Sequence, residues 1–274
     1  MSIFHQLSRP TLLHLATALQ TGRLQLPALR IDLADYVPTN LQPLVEAEFE
    51  HLERLEMTSQ QVAYLLRLLA QERQLQQAQS DSPEETLRER VDLVWTGAEV
   101  ANNESRDTKI VVRELFKLAK HHVTISSYAL DRGAKSHALF APLAQRMDEN
   151  PSLKVQLFAN IQRPYRNLDP EAAILAQFAL NFRQHIWQGR RLPELFYDPR
   201  ALATGLDTRA CLHAKCVIVD DLHLFVTSAN FTEAAHERNI EAGVLLTNEI
   251  AAKSMRSQLE QLVRKGILKQ LMGL

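Results

Sequence analysis

From residue 91 onward the chain alternates between two hydrophobic rhythms, and this alternation limits the folds open to it. Short apolar runs of strand length at 91–95, 122–128, 153–160 and 195–197 are separated by longer stretches at 110–119, 136–147 and 170–187. In those stretches apolar residues recur at helical spacing. Three more strand-like runs, 210–219, 222–228 and 240–247, follow in quick order, and 249–269 returns to the helical rhythm. Strands alternating with helices pack as a sheet covered by helices. Strands that follow one another through short turns pair antiparallel. The expected class is therefore α/β, a layered mixed β-sheet flanked by helices.

Residues 1–80 have a different texture and read as an all-α region. Ser8-Arg9-Pro10 starts a helix whose apolar stripe is Leu12, Leu13, Leu15, Ala16 and Leu19, and Gly22 can close it. A second helix is expected over 44–55, with Glu46, Glu48, Glu50 and Glu53 on it as a solvated face or a docking surface. Thr58-Ser59-Gln60-Gln61 fits a capping box ahead of Val62, Leu65, Leu66 and Leu69. The polar run 73–86 is the candidate linker, with a second capping signature at Ser82-Pro83-Glu84-Glu85. This predicts two parts, a helical region at 1–80 and a catalytic domain at 81–274. Charge agrees with the division: residues 1–90 carry 8 Lys and Arg against 12 Asp and Glu, the rest 23 against 20.

The whole chain, 274 residues with net charge −1, is not basic enough to hold nucleic acid by bulk electrostatics alone. No apolar run is long enough to span a membrane, and the first residues lack a signal-peptide pattern, so the expected location is the cytoplasm. Cys211 and Cys216 fall on opposite faces of an extended segment, which argues against both a disulfide and a metal site between them.

The segment richest in chemistry runs from His213 to Asn230. On a strand at 210–219, His213 and Lys215 share one face, while Ala214, Cys216 and Ile218 take the other. Asp220-Asp221 makes a turn. The next strand carries Leu224, Val226, Ser228 and Asn230 on one face, so a hairpin brings His213, Lys215, Ser228 and Asn230 together. A phosphate suits such a cluster. Lys supplies charge, Asn and Ser supply donors for the non-bridging oxygens, and an imidazole can attack phosphorus or protonate a leaving oxygen.

His213-x-Lys215-x4-Asp220-x6-Thr227-Ser228-x-Asn230 resembles the HKD motif of the phospholipase D superfamily, H-x-K-x4-D-x6-G-S-x-N, with Thr227 in place of the usual Gly. Glu241 stands where that family carries a Glu that supports the histidine. The resemblance implies a phospholipase D-like fold and six catalytic candidates: His213, Lys215, Asp220, Ser228, Asn230 and Glu241. His213 would form a phosphohistidine, and the same residue of a second subunit would act as general acid and then base. Lys215 and Asn230 would hold the phosphate with help from Ser228. Glu241 would orient the imidazole, and Asp220 would fix the turn. No cofactor and no metal is implied. Among ten histidines only His213 has Lys two residues later, so two imidazoles at one site imply a homodimer. His236, ahead of Glu241, is a further residue that could reach the site.

The superfamily spans lipid-cleaving enzymes, phosphatidyl transferases, nucleases and inactive scaffolds. The layout is similar to the phospholipase D-like proteins of the DISARM antiphage system. That resemblance implies bacterial defence, DNA as the substrate, helicase and methyltransferase partners and no membrane. A catalytically silent scaffold and a cytoplasmic phospholipase are the alternatives. Lys109, Arg113, Lys117, Lys120, Arg132 and Lys135, with Arg163, Arg166, Arg190 and Arg191, are the candidate phosphate contacts outside the motif.

Overall fold

The computed structural model describes residues 2–78, 91–98, 104–131, 133–205 and 210–274. By compactness the chain divides into two units, Met1–Val111 and Val112–Leu274. The first holds α1 (Arg9–Gln20), α2 (Arg30–Leu33), α3 (Gln42–Arg54) and α4 (Ser59–Ala78), then a short parallel pair, β1 (Val91–Thr96) and β2 (Arg106–Asp107). The start signals act as their residue types dictate. The Ser8 side chain accepts from Thr11 N at the head of α1. Ahead of α4, Thr58 N donates to Gln61 Oε1 at 2.8 Å while Gln61 N donates back to Thr58 Oγ1 at 3.3 Å, a complete capping box. The helices close around Phe4, Leu12, Leu15, Val45, Phe49 and Leu66, all buried. Because α4 runs to Ala78, the polar run expected as a linker begins inside a helix. The rest of that run, the expected boundary after residue 80 and the signature at Ser82 lie outside the described residues.

The rest of the chain forms α5 (Thr108–Leu118), β3 (His122–Ser127), α6 (Ala134–Glu149), β4 (Lys154–Ala159), α7 (Glu171–His185), β5 (Glu194–Tyr197), β6 (Cys216–Val219), β7 (His223–Thr227), α8 (Glu233–Glu237), β8 (Glu241–Thr247), α9 (Glu249–Arg264) and β9 (Lys269–Gln270). Within the second unit the strand order is β8-β7-β6-β3-β4-β5-β9. β3, β4 and β5 are parallel and joined by helices, whereas β6, β7 and β8 form an antiparallel meander that meets them along β3. The sheet is mixed, as the two kinds of connection require.

Period-2 alternation divides the side chains between two layers. Cys216 and Ile218 of β6 and Leu224 of β7 pack with Phe158 and Phe196 against Ala252 and Leu259 of α9. Elsewhere Phe116 of α5 and Phe140 of α6 stack on Phe231, with ring centroids 6.2 and 5.2 Å away. Helix α9 stops at Arg264, short of the 269 expected from its periodicity. Gly266, at φ +70°, turns the backbone into the left-handed region and releases the chain into β9. Both cysteines are free; Cys211 is exposed, and burial pushes the Cys216 thiol up to about 11. Among the described residues no helix is long and apolar enough to cross a membrane.

Candidate active site

The hairpin that carries the motif closes through a tight turn. Leu222 N donates to Val219 O at 3.1 Å, and both central residues, Asp220 and Asp221, have positive φ of 52° and 57°. A two-residue hairpin loop of this hand matches the twist of its strands and favours Asp, Asn or Gly at both positions. The Asp220 carboxylate then accepts from three successive backbone donors, Lys120 N and His121 N at 2.8 Å and His122 N at 2.9 Å. Burial alone would raise its pKa, but these bonds outweigh burial and hold it below the ordinary value. Asp220 thus lies at one end of β6 while His213 precedes the other. Of the six candidate residues it is the one the fold keeps away from the reacting groups, because its side chain ties the turn to the start of β3.

At the opposite end the strand gives up its ladder early. Thr227 N still reaches Lys215 O at 3.2 Å, but Ala214 O is taken by the Ser126 hydroxyl at 2.9 Å. Residues 210–215, expected as strand, therefore lie outside β6. This frees His213 from the sheet and leaves it exposed, not buried as a strand residue would be. Lys215 Nζ sits 3.1 Å from His213 Nδ1 and 3.0 Å from His213 O. An ammonium only donates, so the first contact needs a ring nitrogen with its lone pair free. Burial lowers the Lys215 pKa, and the nearby Glu241 carboxylate opposes the shift.

Asn230 and the Ser228–Glu241 pair complete the cluster. Asn230 Oδ1 accepts from Ala129 N at 3.2 Å, which assigns the Nδ2 end of the amide to donation. The Ser228 hydroxyl donates to Glu241 Oε2 and accepts from Ala242 N at 3.1 Å, while Glu241 Oε1 accepts from Asn239 Nδ2 at 3.0 Å. Each Glu241 oxygen is thus bound within its own β7–β8 corner, and within this chain the carboxylate acts on Ser228 and, through space, on Lys215. His236 is buried in α8 with its ring on Phe231, 5.5 Å away, and serves the core.

Tyr128 is a site residue that the motif does not name. Its ring lies 4.8 Å from the His213 ring and 5.8 Å from Lys215 Nζ, and its hydroxyl accepts from Gln162 Nε2 at 2.9 Å. It also borders a cleft of about 490 Å³ that continues past Asn160 to Phe178 and Asn181 on α7. Tyr128 follows the last residue of β3 and Asn160 the last of β4. The crevice at the carboxyl ends of parallel strands is where open α/β sheets place ligands, and that rule is the signal that could have found both.

A comparison with family models matches residues 112–263, more than half of the chain, to the family described as the cardiolipin synthase, PLD-like domain. The chain belongs to the phospholipase D-like family. No curated protein matches its sequence. Among solved structures, the phosphatidylserine synthase of Haemophilus influenzae shares 19% identity and a TM-score of 0.50 over 67% of this chain and 39% of that one, which shows a common fold. The phospholipase D family member Nuc of Salmonella typhimurium aligns at 17% identity and TM-score 0.41 over 66% of this chain and 96% of that one. NucT of Helicobacter pylori aligns at 14% and 0.38 over 56% and 86%.

Against the phospholipase D-like pattern, Thr227 replaces a glycine, and the structure shows what accommodates it. Thr227 lies opposite Gly243 in the β7–β8 register. A Cβ at 243 would come within 2.9 Å of the Thr227 Cβ and 2.7 Å of the Phe225 ring. The absence of a side chain at Gly243 leaves the room that Thr227 takes. Two of the arginines expected to meet phosphate are otherwise engaged. Buried Arg163 donates to Leu202 O at 2.7 Å and Asp169 O at 2.5 Å, and Arg191 donates to Met147 O at 2.5 Å and Asn150 O at 2.8 Å. Arg190 pairs with Asp148. Lys120 stands beside the Asp220 turn, at the far end of the sheet from His213. Arg166, exposed over the Tyr165 ring, is a cation on the loop after β4, at the site end. The side chains of Arg132 and Lys135 lie outside the described residues.

Proposed function

We propose that this protein is a phosphodiesterase in which His213 attacks phosphorus to form a phosphohistidine. The observation that carries the reading is the gathering of His213, Lys215 and Asn230 around Tyr128 and Ala129 at one exposed corner of the sheet. A ring nitrogen of His213 forms the N–P bond as the P–O bond to the leaving group breaks. The departing oxygen takes its proton from His213 of a second subunit. That imidazole then removes a proton from water, whose oxygen displaces His213 and regenerates it. Lys215 Nζ, already in reach of the imidazole, turns to the non-bridging oxygens together with Asn230 Nδ2. Ser228 acts on this cluster through Glu241. The working unit is a homodimer. The chemistry of these residues requires neither metal nor cofactor.

The proposed substrate is a nucleic-acid backbone, DNA first, and the proposed setting is antiphage defence beside a helicase and a methyltransferase, as the resemblance to the DISARM phospholipase D-like proteins implies. With Arg163 and Arg191 engaged by carbonyls, unaided binding is expected to be weak and to fall steeply with salt. The test compares wild type and His213→Ala on single-stranded DNA, duplex DNA, RNA and phosphatidylcholine liposomes, with and without EDTA. Cleavage of DNA by wild type alone, unaffected by EDTA, is the expected result. Hydrolysis of lipid with every nucleic acid left intact would reject the nuclease reading, and a strict need for Mg²⁺ would reject the mechanism.

A further inference from the structure

Beside His213 the cleft has an uncommon lining. Asn160, 9% exposed, lines it, and neither its Oδ1 nor its Nδ2 has a hydrogen-bond partner among the described residues. Buried amides are almost always satisfied from within, because stranding both a donor and an acceptor is costly. The other lining amides differ in this respect. Gln162 donates to Tyr128 Oη at 2.9 Å, Asn167 to Asp169 Oδ2 at 2.8 Å, and Gln177 to Asn181 Oδ1 at 3.3 Å. Asn160 is thus a prepared donor–acceptor pair at the wall of a cleft that also presents Tyr128, Ile174 and Phe178, among amides already bonded to one another or to Tyr128 and Asp169.

Among the described residues the lining includes neither Lys nor Arg, and its one carboxylate is Asp169. These residues offer a second phosphate no counter-charge. A flat, uncharged ring with donors and acceptors along its edge fits both features: the edge meets Asn160, and the faces meet Tyr128 and Phe178. Asn pairs with adenine in this two-point manner, and aromatic side chains stack on any base. A volume of about 490 Å³ lies within the usual range of small-ligand sites. Tyr128 borders the cleft and also touches the His213 ring, so a group held here is adjacent to a phosphate held there.

We infer that this cleft is a nucleobase subsite, which receives the base next to the scissile phosphate and reads its edge with Asn160. The inference rests on the phosphodiesterase reading only for where the phosphate sits, so binding and cleavage are measured separately. The binding arm compares a short single-stranded oligonucleotide with an abasic strand of equal length and charge, using the full chain. Wild type is expected to prefer the base-bearing strand about ten-fold, as one stacked and hydrogen-bonded base warrants. Asn160→Leu should abolish that preference, and Gln177→Ala, on the exposed face of α7 and therefore safe for folding, should reduce it. Equal affinity of wild type for the two strands, or a preference that survives both variants, overturns the subsite. So does tighter binding to phosphatidylglycerol vesicles than to either strand. In the cleavage arm, the ratio of kcat/KM on the oligonucleotide to that on bis(p-nitrophenyl) phosphate should fall about ten-fold in Asn160→Leu. A base preference in binding without hydrolysis of any phosphodiester would leave the subsite standing and remove the hydrolase reading. Hydrolysis with no base preference would do the reverse.

Discussion

Three backbone N–H groups, from Lys120, His121 and His122, converge on the Asp220 carboxylate at the closed end of the β6–β7 hairpin. Asp220→Asn leaves one oxygen for three donors and turns an NH2 toward them, and should cost about 1–3 kcal/mol of unfolding free energy. The pH dependence has a definite sign. The folded pKa of Asp220 is depressed, so its stabilisation is fully present above the ordinary Asp value of about 4 and is lost as pH falls through the folded value. Urea melts should show the wild type keeping its advantage over Asp220→Asn down to about pH 4 and losing it progressively as the pH falls further. Asn230→Ala belongs to the chemistry as well, and should lower kcat by about two to three orders of magnitude, with a lower melting temperature because the buried Ala129 N–H loses its acceptor. At this scale the two-residue turn of the hairpin was legible, but the shared face was not: Leu224 and Val226 pair with Ile218 and Cys216, on the face opposite the one expected, and His213, Lys215, Ser228 and Asn230 lie beyond the ends of β6 and β7. Tyr128 and Asn160 were not legible. An aromatic or an amide at a strand end looks the same in sequence whether it faces solvent, core or substrate.

Along β7 and β8, Thr227 and Gly243 divide between them the space that one side chain can fill. Gly243→Ala should destabilise the protein by about 1–3 kcal/mol through overpacking. Adding Thr227→Gly should recover part of that loss, because the Phe225 ring and Val226 O would still crowd the new methyl. A double-mutant cycle by denaturant unfolding measures this coupling, and strict additivity would show that the two positions do not share space. The elements themselves were largely legible from periodicity. The departures have local causes: a glycine in the left-handed region ends α9, and the Ser126 hydroxyl takes the place of a ladder bond ahead of β6. The arginines show the limit of counting charge. Sequence cannot distinguish a guanidinium aimed at phosphate from one, such as Arg163 or Arg191, that gathers carbonyls.

For the whole molecule, the proposed mechanism needs two copies of His213 at one phosphate, and a two-fold pair is the economical way to supply them. After subunit exchange, mixtures of wild type with His213→Ala should lose activity as the square of the wild-type fraction. A linear decline would show that each chain works alone. The wiring of the site has a further consequence, in time instead of space. The bonds that join its two halves span 88 residues between Ser126 and Ala214, 101 between Ala129 and Asn230, and 104 between Ser127 and Phe231. At about 5–20 residues per second of synthesis, the β3 side of the corner waits roughly 5–20 s for its partner. Contacts so distant along the chain also form late in folding. A nascent chain therefore carries the cleft walls of β3 and β4 well before it carries an imidazole beside them, and its chemistry is withheld until the far side of the hairpin has been made.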